Sequence, residues 1–487
     1  MRPPRPWAPA PQVSRRPLAP GSGDARAGAP GRASVVGRPA GGVPAGEDAA
    51  LRAFRRAARL LPGYRELLLE RGVDPDGVRE LAEVPYLDKA TVFGEGVARW
   101  IEGGSVTRAA ELLTSSGTTG GGFSVGVTSR AERAELQRTV DAALRELGAS
   151  ETSPTLLLNC LPMGITVPTS LATVASPSVH LEMALELVTA FGRAFDRVVI
   201  LGEPTFLKEL AEMAREVVGP EWAPPRTFII VGGDWVAEAW RSHVGGLAGF
   251  GRPHMDPASG ILISMGAAEL GLHCLFETPE LRSARQLLRD GGARRDLFGR
   301  DPGYCPTLFA YDPGRLFIEE RPHASSGSTL VATTLTPRLV PLIRYDLGDL
   351  GELVPAERLN AHLARHGSPV RVRGPVVAVW GRAQGASGER WRLRPELVQE
   401  RLLATPADAA CVSGRFRLQD ACSGPRLHVQ LREGVAPRPG LAIDLERFLA
   451  TATGTPAQVV LHHHREYPFH LAGDYQRKPR YATEVAR

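Results

Sequence analysis

The sequence predicts an α/β protein: a large body on mixed, mainly parallel sheets, followed by a small α+β domain at the C-terminal end. Three observations predict it. Short apolar runs alternate with amphipathic helical segments from residue 112 onward, the pattern of strands covered by helices on both sheet faces. After Gly381 the chain reads helix, strand, helix, strand. Between the two regions, Gly and Ser cluster over residues 382–388 (RAQGASG), as a joint requires.

Taken in order, residues 1–45 hold ten prolines and no apolar periodicity, so a disordered tail is expected there. A helical pattern begins near Ala49 (Leu51, Phe54, Leu60, Leu61). Ser129 with Glu132 forms a capping-box signal, and Leu136, Val140, Ala143, Leu144 and Leu147 then lay one apolar stripe at helical spacing. Strands are expected at 155–158, 198–201, 228–231 and 261–264, with an amphipathic helix over 206–217, and further strands at 314–320 and 329–335. In the last part, 395–403 and 442–449 read as helices and 426–431 and 457–462 as strands. The expected division is a tail (1–45), a large ligand-binding domain (46–381) and a small C-terminal domain (382–487).

Composition excludes several classes. Hydrophobic residues at 43% and charged residues at 23% suit a globular chain. No apolar run approaches the ~18–20 residues that span a bilayer. The net charge of +5 sits in the tail, which holds seven of the 58 basic residues and one of the 53 acids; the remainder carries 51 against 52. The body is neutral, so no nucleic-acid surface is expected. Arg15 and Arg16 are followed by Pro and Gly rather than an apolar core, so no export signal is expected. Five scattered cysteines without a CxxC pair argue against a disulfide framework and for the cytoplasm. His273, Cys274 and Cys305 lack a fourth zinc partner and read as ordinary core residues. The triplet His462, His463, His464 reads as a strand end.

Residues 113–122 (LTSSGTTGGG) carry the first chemical signal. Small residues let backbone N–H groups approach a ligand, and the hydroxyls of Ser115, Ser116, Thr118 and Thr119 can join them in cradling phosphates. No Gly-Lys-Ser/Thr follows, so this is not a Walker A loop. Residues 263–270 (ISMGAAEL) put Glu269 just beyond a strand's carboxyl end, where ligand-facing residues sit in open α/β sheets. Residues 343–350 (IRYDLGDL) put Asp349 after a Gly in an expected turn, and residues 380–384 (WGRAQ) fall at the joint.

In this order and spacing the segments resemble the adenylate-forming superfamily of acyl-CoA ligases, adenylation domains and luciferase-like enzymes, and within it the phenylacetate–CoA ligase branch. Residues 62–93, with a Tyr-Arg helix and an Asp-Lys-Ala step at residues 88–90, are similar to that branch's N-terminal signature. The resemblance implies that Thr114, Ser115, Ser116, Gly117, Thr118, Thr119 and Gly120 hold the ATP phosphates. It implies that Gly232 and Gly233 lie against the adenine, that Glu269 ligates Mg2+, and that Asp349 and Arg382 bind the ribose hydroxyls. Lysines number three (Lys89, Lys208, Lys478), and Lys478 in residues 475–481 (YQRKPRY) is the candidate adenylation lysine. The chain departs from the family at three places. Gly121, Gly122 and Phe123 replace the usual Pro and Lys, Gln384 stands where the hinge carries an acid, and Asp474 occupies the lysine of one alignment of the Gly-Lys-x-x-Arg signature. Either Lys478 acts from a shifted position or the adenylation lysine is absent.

The reaction implied is ATP-dependent activation of a small-molecule carboxylic acid as its acyl-adenylate, followed by acyl transfer. Coenzyme A is the expected acceptor. A carrier-protein thiol, an amine, N–N bond-forming chemistry of specialised metabolism, and a degenerate non-catalytic nucleotide-binding protein are the alternatives. Residues 159–166, 231–235 and 265–270 are the expected pocket, with Met163, Gly164, Trp235, Met265 and Gly266 lining it and suiting an aromatic or medium acyl group. A monomer or homodimer is expected, without nucleic-acid or membrane partners.

Overall fold

The computed structural model describes residues 46–94, 96–114, 125–250, 259–323, 327–383, 393–421, 424–469 and 482–483. The tail 1–45, residues 115–122 of the Ser/Thr/Gly segment, Phe123, Gln384, Asp474 and Lys478 lie outside the described residues.

Helices α1 (Gly46–Leu60) and α2 (Pro62–Glu70) open the body; Pro62 starts α2 at a position where its missing N–H costs nothing. A short helix α3 (Lys89–Phe93) is capped by Asp88, whose carboxylate accepts from the Thr91 N–H at 2.8 Å. Strands β1 (Ala109–Thr114) and β2 (Val125–Ser129) form an antiparallel pair with Thr114 opposite Val125, so the Ser/Thr/Gly segment is the connection between them. The expected capping box opens α4 (Arg130–Glu146): the Glu132 N–H donates to Ser129 Oγ at 3.2 Å and the Ser129 N–H to Glu132 Oε2 at 2.9 Å.

The alternating region builds β3 (Thr155–Cys160), β4 (Thr173–Ala175), α5 (Leu181–Phe191), β5 (Arg197–Gly202), α6 (Pro204–Val217), β6 (Thr227–Val231), α7 (Glu238–Leu247) and β7 (Gly260–Ala267). Its strands are mutually parallel in the order β4-β3-β5-β6-β7. Their near-continuous apolar character has a physical cause. Leu156, Val198, Ile229 and Ile261 face one core with Phe206 and Trp240, while Leu157, Val199, Phe228 and Leu262 face a second with Leu136, Val140 and Leu144 of α4. Both sheet faces are buried, so successive side chains on opposite faces are all apolar, each contributing about 1.5–3 kcal/mol on burial.

An antiparallel wing follows: β8 (Gly271–Phe276), α8 (Pro279–Leu287), α9 (Gly291–Phe298), β9 (Thr307–Ala310), β10 (Leu316–Pro322), β11 (Ser328–Thr334), β12 (Tyr345–Val354), α10 (Ala356–Arg365) and β13 (Val376–Arg382). It extends the same sheet in the order β7-β8-β9-β13-β12-β11-β10, giving eleven strands. The last part comprises α11 (Pro395–Leu402), α12 (Pro406–Cys411), β14 (Val412–Ala421), β15 (Gly424–Leu431), α13 (Leu441–Thr453), β16 (Gln458–His462) and β17 (Ala482–Thr483). These strands form a separate four-stranded sheet, β16-β15-β14-β17, of the α+β character the sequence predicts. Among the described residues, no helix is long and apolar enough to cross a membrane.

Candidate active site

Three parallel strands, β3, β5 and β6, end side by side against β7, which runs on, and the residues at these ends are the candidate pocket. Cys160 of β3, Gly202 of β5 and Val231 of β6 lie in register, and the Gly232 N–H donates to the Gly202 carbonyl at 2.9 Å. After β3 the chain folds back on Asn159, whose Nδ2 donates to the Ile165 carbonyl at 2.7 Å. This brings a half-buried Met163 in the left-handed region (φ 60°) and an exposed Gly164 to the mouth. Thr166 then donates to Glu111 Oε1 at 2.6 Å, tying that loop to β1. After β6 come a half-buried Gly232, an exposed Gly233, Asp234 and Trp235. Trp235 stands edge-on to Tyr304 at 5.8 Å, and its buried Nε1 has no hydrogen-bond partner among the described residues. Met265 and Gly266 are half-buried at the end of β7.

Glu269 occupies the turn between β7 and β8, as its position in the sequence predicts. Arg338 fixes that turn by donating to the carbonyls of Leu270 at 2.8 Å and Glu269 at 3.3 Å. Arg338 is itself anchored by Glu132 Oε1, 3.1 Å from its Nε, so the residue that caps α4 also supports the turn. The buried Tyr345 hydroxyl donates to Glu269 Oε1 at 2.9 Å. Burial first, and the Glu269 charge second, push its pKa well up, so it remains a donor. Among the described residues no cation lies within ion-pair distance of the Glu269 carboxylate. The β1–β2 hairpin reaches this turn because Gly126 lacks a side chain: the Ala268 carbonyl oxygen lies 2.0 Å from where a Cβ would stand.

Asp349 and Arg382 face each other across β12 and β13. Arg382 Nε lies 3.3 Å from Asp349 Oδ1, and its Nη1 lies 3.3 Å from Oδ2 and donates to the Leu347 carbonyl at 3.0 Å. The Asp349 side chain is 7% exposed and that of Arg382 55%, so a buried carboxylate holds a guanidinium at the surface. Asp349 foremost raises the Arg382 pKa, and Asp234, Glu269 and Tyr345 are also within its electrostatic reach, which ties this pair to the strand-end cluster. The turn expected at Asp349 is corrected: the residue lies within β12, which absorbs an irregularity in register between Leu350 and Gly351.

Behind Arg382 the joint is tightly packed. Gly381 has φ 111°, and Glu396 Oε1 would stand 1.7 Å from a Cβ there, so only glycine fits. Burial pushes the Glu396 carboxyl up to about 7 against the opposing pull of Arg394, whose Nε lies 3.3 Å from Oε2. Arg394 Nη2 also donates to the Arg382 carbonyl at 2.7 Å.

The fold thus gathers Met163, Gly164, Gly232, Gly233, Trp235, Met265, Gly266, Glu269, Asp349 and Arg382 at one end of the large sheet. Thr114 enters through the hairpin beside them, while Ser115, Ser116, Gly117, Thr118, Thr119, Gly120 and Lys478 lie outside the described residues. Sequence reasoning missed Gly126, Arg338 and Tyr345. Tyr345 lies inside a segment already singled out; nothing local marks the other two. His273, Cys274 and Cys305 turn to separate partners, namely Ser264 Oγ, the Met265 carbonyl and the Leu288 carbonyl. His462 ends β16 and meets His428 at 2.9 Å.

The chain has the fold of the adenylate-forming ligases. Among solved structures it is similar to 2-hydroxyisobutyryl-CoA ligase in the postadenylation state in complex with 2-HIB-AMP, at 15% identity and a TM-score of 0.63, covering 90% of this chain and 89% of that one. It is also similar to an open conformation of that ligase in complex with 2-HIB-AMP and CoA, at 15% identity and a TM-score of 0.52, covering 90% and 91%. No protein-family model and no curated protein sequence matches the chain.

Proposed function

We propose that this chain activates a carboxylic acid with ATP as the acyl-adenylate and transfers the acyl group to a thiol, that of coenzyme A first, in the manner of the phenylacetate–CoA ligase branch. The observation that carries the reading is that the Glu269–Tyr345 pair and the Asp349–Arg382 pair stand within electrostatic reach of each other, by the ends of β3, β5 and β6 and the turn after β7. Nucleotides bind at such strand ends in open α/β sheets. Asp349 would accept from the ribose hydroxyls, with Arg382 fixing the carboxylate's orientation. Gly232 and Gly233 would lie against the adenine, and Trp235 and Met265 would form apolar walls for the acyl group. The residues fit Mg2+: Glu269 offers a hard oxygen with no competing cation among the described residues, and the ion, when bound, supplies charge neutralisation for the phosphates.

In the first step a carboxylate oxygen attacks the α-phosphorus, the bond to the β-phosphate oxygen breaks, and pyrophosphate leaves with the electron pair. In the second, the thiol sulfur attacks the acyl carbon, the carbon–oxygen bond to AMP breaks, and the thiol proton passes to solvent. The protein's part is positioning and charge complementarity, not covalent chemistry. Thr114 to Gly120 would hold the β- and γ-phosphates, and Lys478 is the candidate cation for the α-phosphate. Residues 382–487 would act as a small domain turning about the joint behind Arg382.

Pyrophosphate exchange into ATP across a panel of aromatic and aliphatic carboxylates tests the reading. Exchange that requires one class of acid is the expected result. ATP binding without exchange for any acid would replace it with a non-catalytic nucleotide-binding role. Product mass with and without coenzyme A then identifies the acceptor.

A further inference from the structure

Away from the strand ends, α9 and α10 bring together three side chains that the activation chemistry does not use. Asp296 of α9 turns its carboxylate toward His362 and His366, which stand one helical turn apart at the end of α10. Asp296 Oδ2 lies 2.9 Å from His362 Nδ1 and 3.6 Å from His366 Nε2, and the two imidazole rings are 4.6 Å apart. Among the described residues this is the one group of three or more such side chains whose ligand atoms all lie within 4.8 Å of one another. His362 is fully buried, and its Nε2 has no hydrogen-bond partner among the described residues. Arg365 Nη2 also reaches Oδ2, at 2.9 Å, from a side chain that is 61% exposed and can swing away.

We infer that Asp296, His362 and His366 form a binding site for a borderline divalent transition ion, Zn2+ or its analogue Co2+, that clasps α9 to α10. Ligands at 2.0–2.2 Å around a tetrahedral zinc stand roughly 3.3 Å apart, and the observed separations bracket that value. Two imidazoles and one carboxylate favour zinc, cobalt or nickel over Mg2+ or Ca2+, which take oxygen ligands. Asp296 and His366 are partly exposed, so water can fill the fourth position. The ion would close off a satellite core in which Leu297 of α9 packs with Leu359 and Leu363 of α10. This site is independent of the activation reading, because none of its residues borders the strand ends.

Co2+ titration of the full chain, freed of metal by chelation, tests the inference through visible absorption. One equivalent with a tetrahedral spectrum is expected, displaced by Zn2+, together with a rise in Tm in Zn2+. Asp296→Asn and His366→Gln each remove a ligand and should weaken binding more than about 100-fold, beyond what loss of an outer partner costs. Their circular dichroism reports whether the fold is kept. Arg365→Gln removes a competing cation beside the ion and should tighten binding roughly fivefold or more. No bound equivalent, or binding unchanged in Asp296→Asn (as a site on the His462–His464 run would give), would overturn the inference.

Discussion

Two carboxylates of this molecule, Glu212 and Glu269, meet opposite treatment. Glu212 of α6 is surrounded: Lys208 Nζ lies 2.6 Å away, His243 Nε2 3.0 Å and Arg432 Nε 2.9 Å. Lys208 is fully buried and also donates to the Val412 carbonyl of β14 at 2.6 Å. This cluster joins the body to the four-stranded sheet, and its charges answer one another. Glu269 receives one hydroxyl, and no described cation is within ion-pair distance. Buried charge that is matched internally holds structure together; charge left for a ligand marks a site. One lysine of the three, Lys208, is therefore structural.

The difference can be broken from either side. Glu212→Ala would leave Lys208 and Arg432 without their buried counter-charge, and a loss of about 3–5 kcal/mol is expected in urea unfolding. ATP affinity of the folded fraction should not change. Glu396 falls between the two cases, a buried acid opposed by one arginine. Its carboxyl is raised from an ordinary 4.5 to about 7, so the folded state holds a proton that the unfolded chain releases. Stability should therefore fall as pH rises from about 4.5 through about 7, by on the order of 3 kcal/mol. Glu396→Gln should lack that component in urea midpoints measured across the range. Asp349→Asn should change stability by less than about 1 kcal/mol, since its partner is half in solvent. It should weaken nucleotide binding about 10- to 100-fold, the worth of charged hydrogen bonds, by calorimetric titration with ATP.

The parallel wing was legible because both faces of β3, β5, β6 and β7 are buried, which turns each strand into an unbroken apolar run. Glu269 was legible for a related reason: the run ends at a glycine, and the acid follows at the strand's carboxyl end. Asp349 was harder. Its glycines suggest a turn, but β12 continues through them with an irregular register, and only the pairing with β13 sets Arg382 opposite. Arg338, Gly126 and the Lys208–Glu212 cluster were not legible at all. Their meaning lies in contacts between distant segments: a guanidinium reaching from beyond β11 to the β7–β8 turn, a missing Cβ against Ala268, an ammonium against β14. No local periodicity encodes those.

The strand-end cluster around Glu269 is proposed to activate a carboxylate with ATP. Carboxylate-dependent pyrophosphate exchange, measured side by side for the unaltered chain and for Glu269→Gln, tests it most directly. Glutamine keeps the size and the acceptor for Tyr345 but removes the charge. The expected result is exchange in the unaltered chain and a loss of about 100-fold or more in the variant, the scale of removing one preorganised electrostatic group, with an unchanged unfolding midpoint. Exchange at the same rate in both proteins would show that Glu269 takes no part in activation.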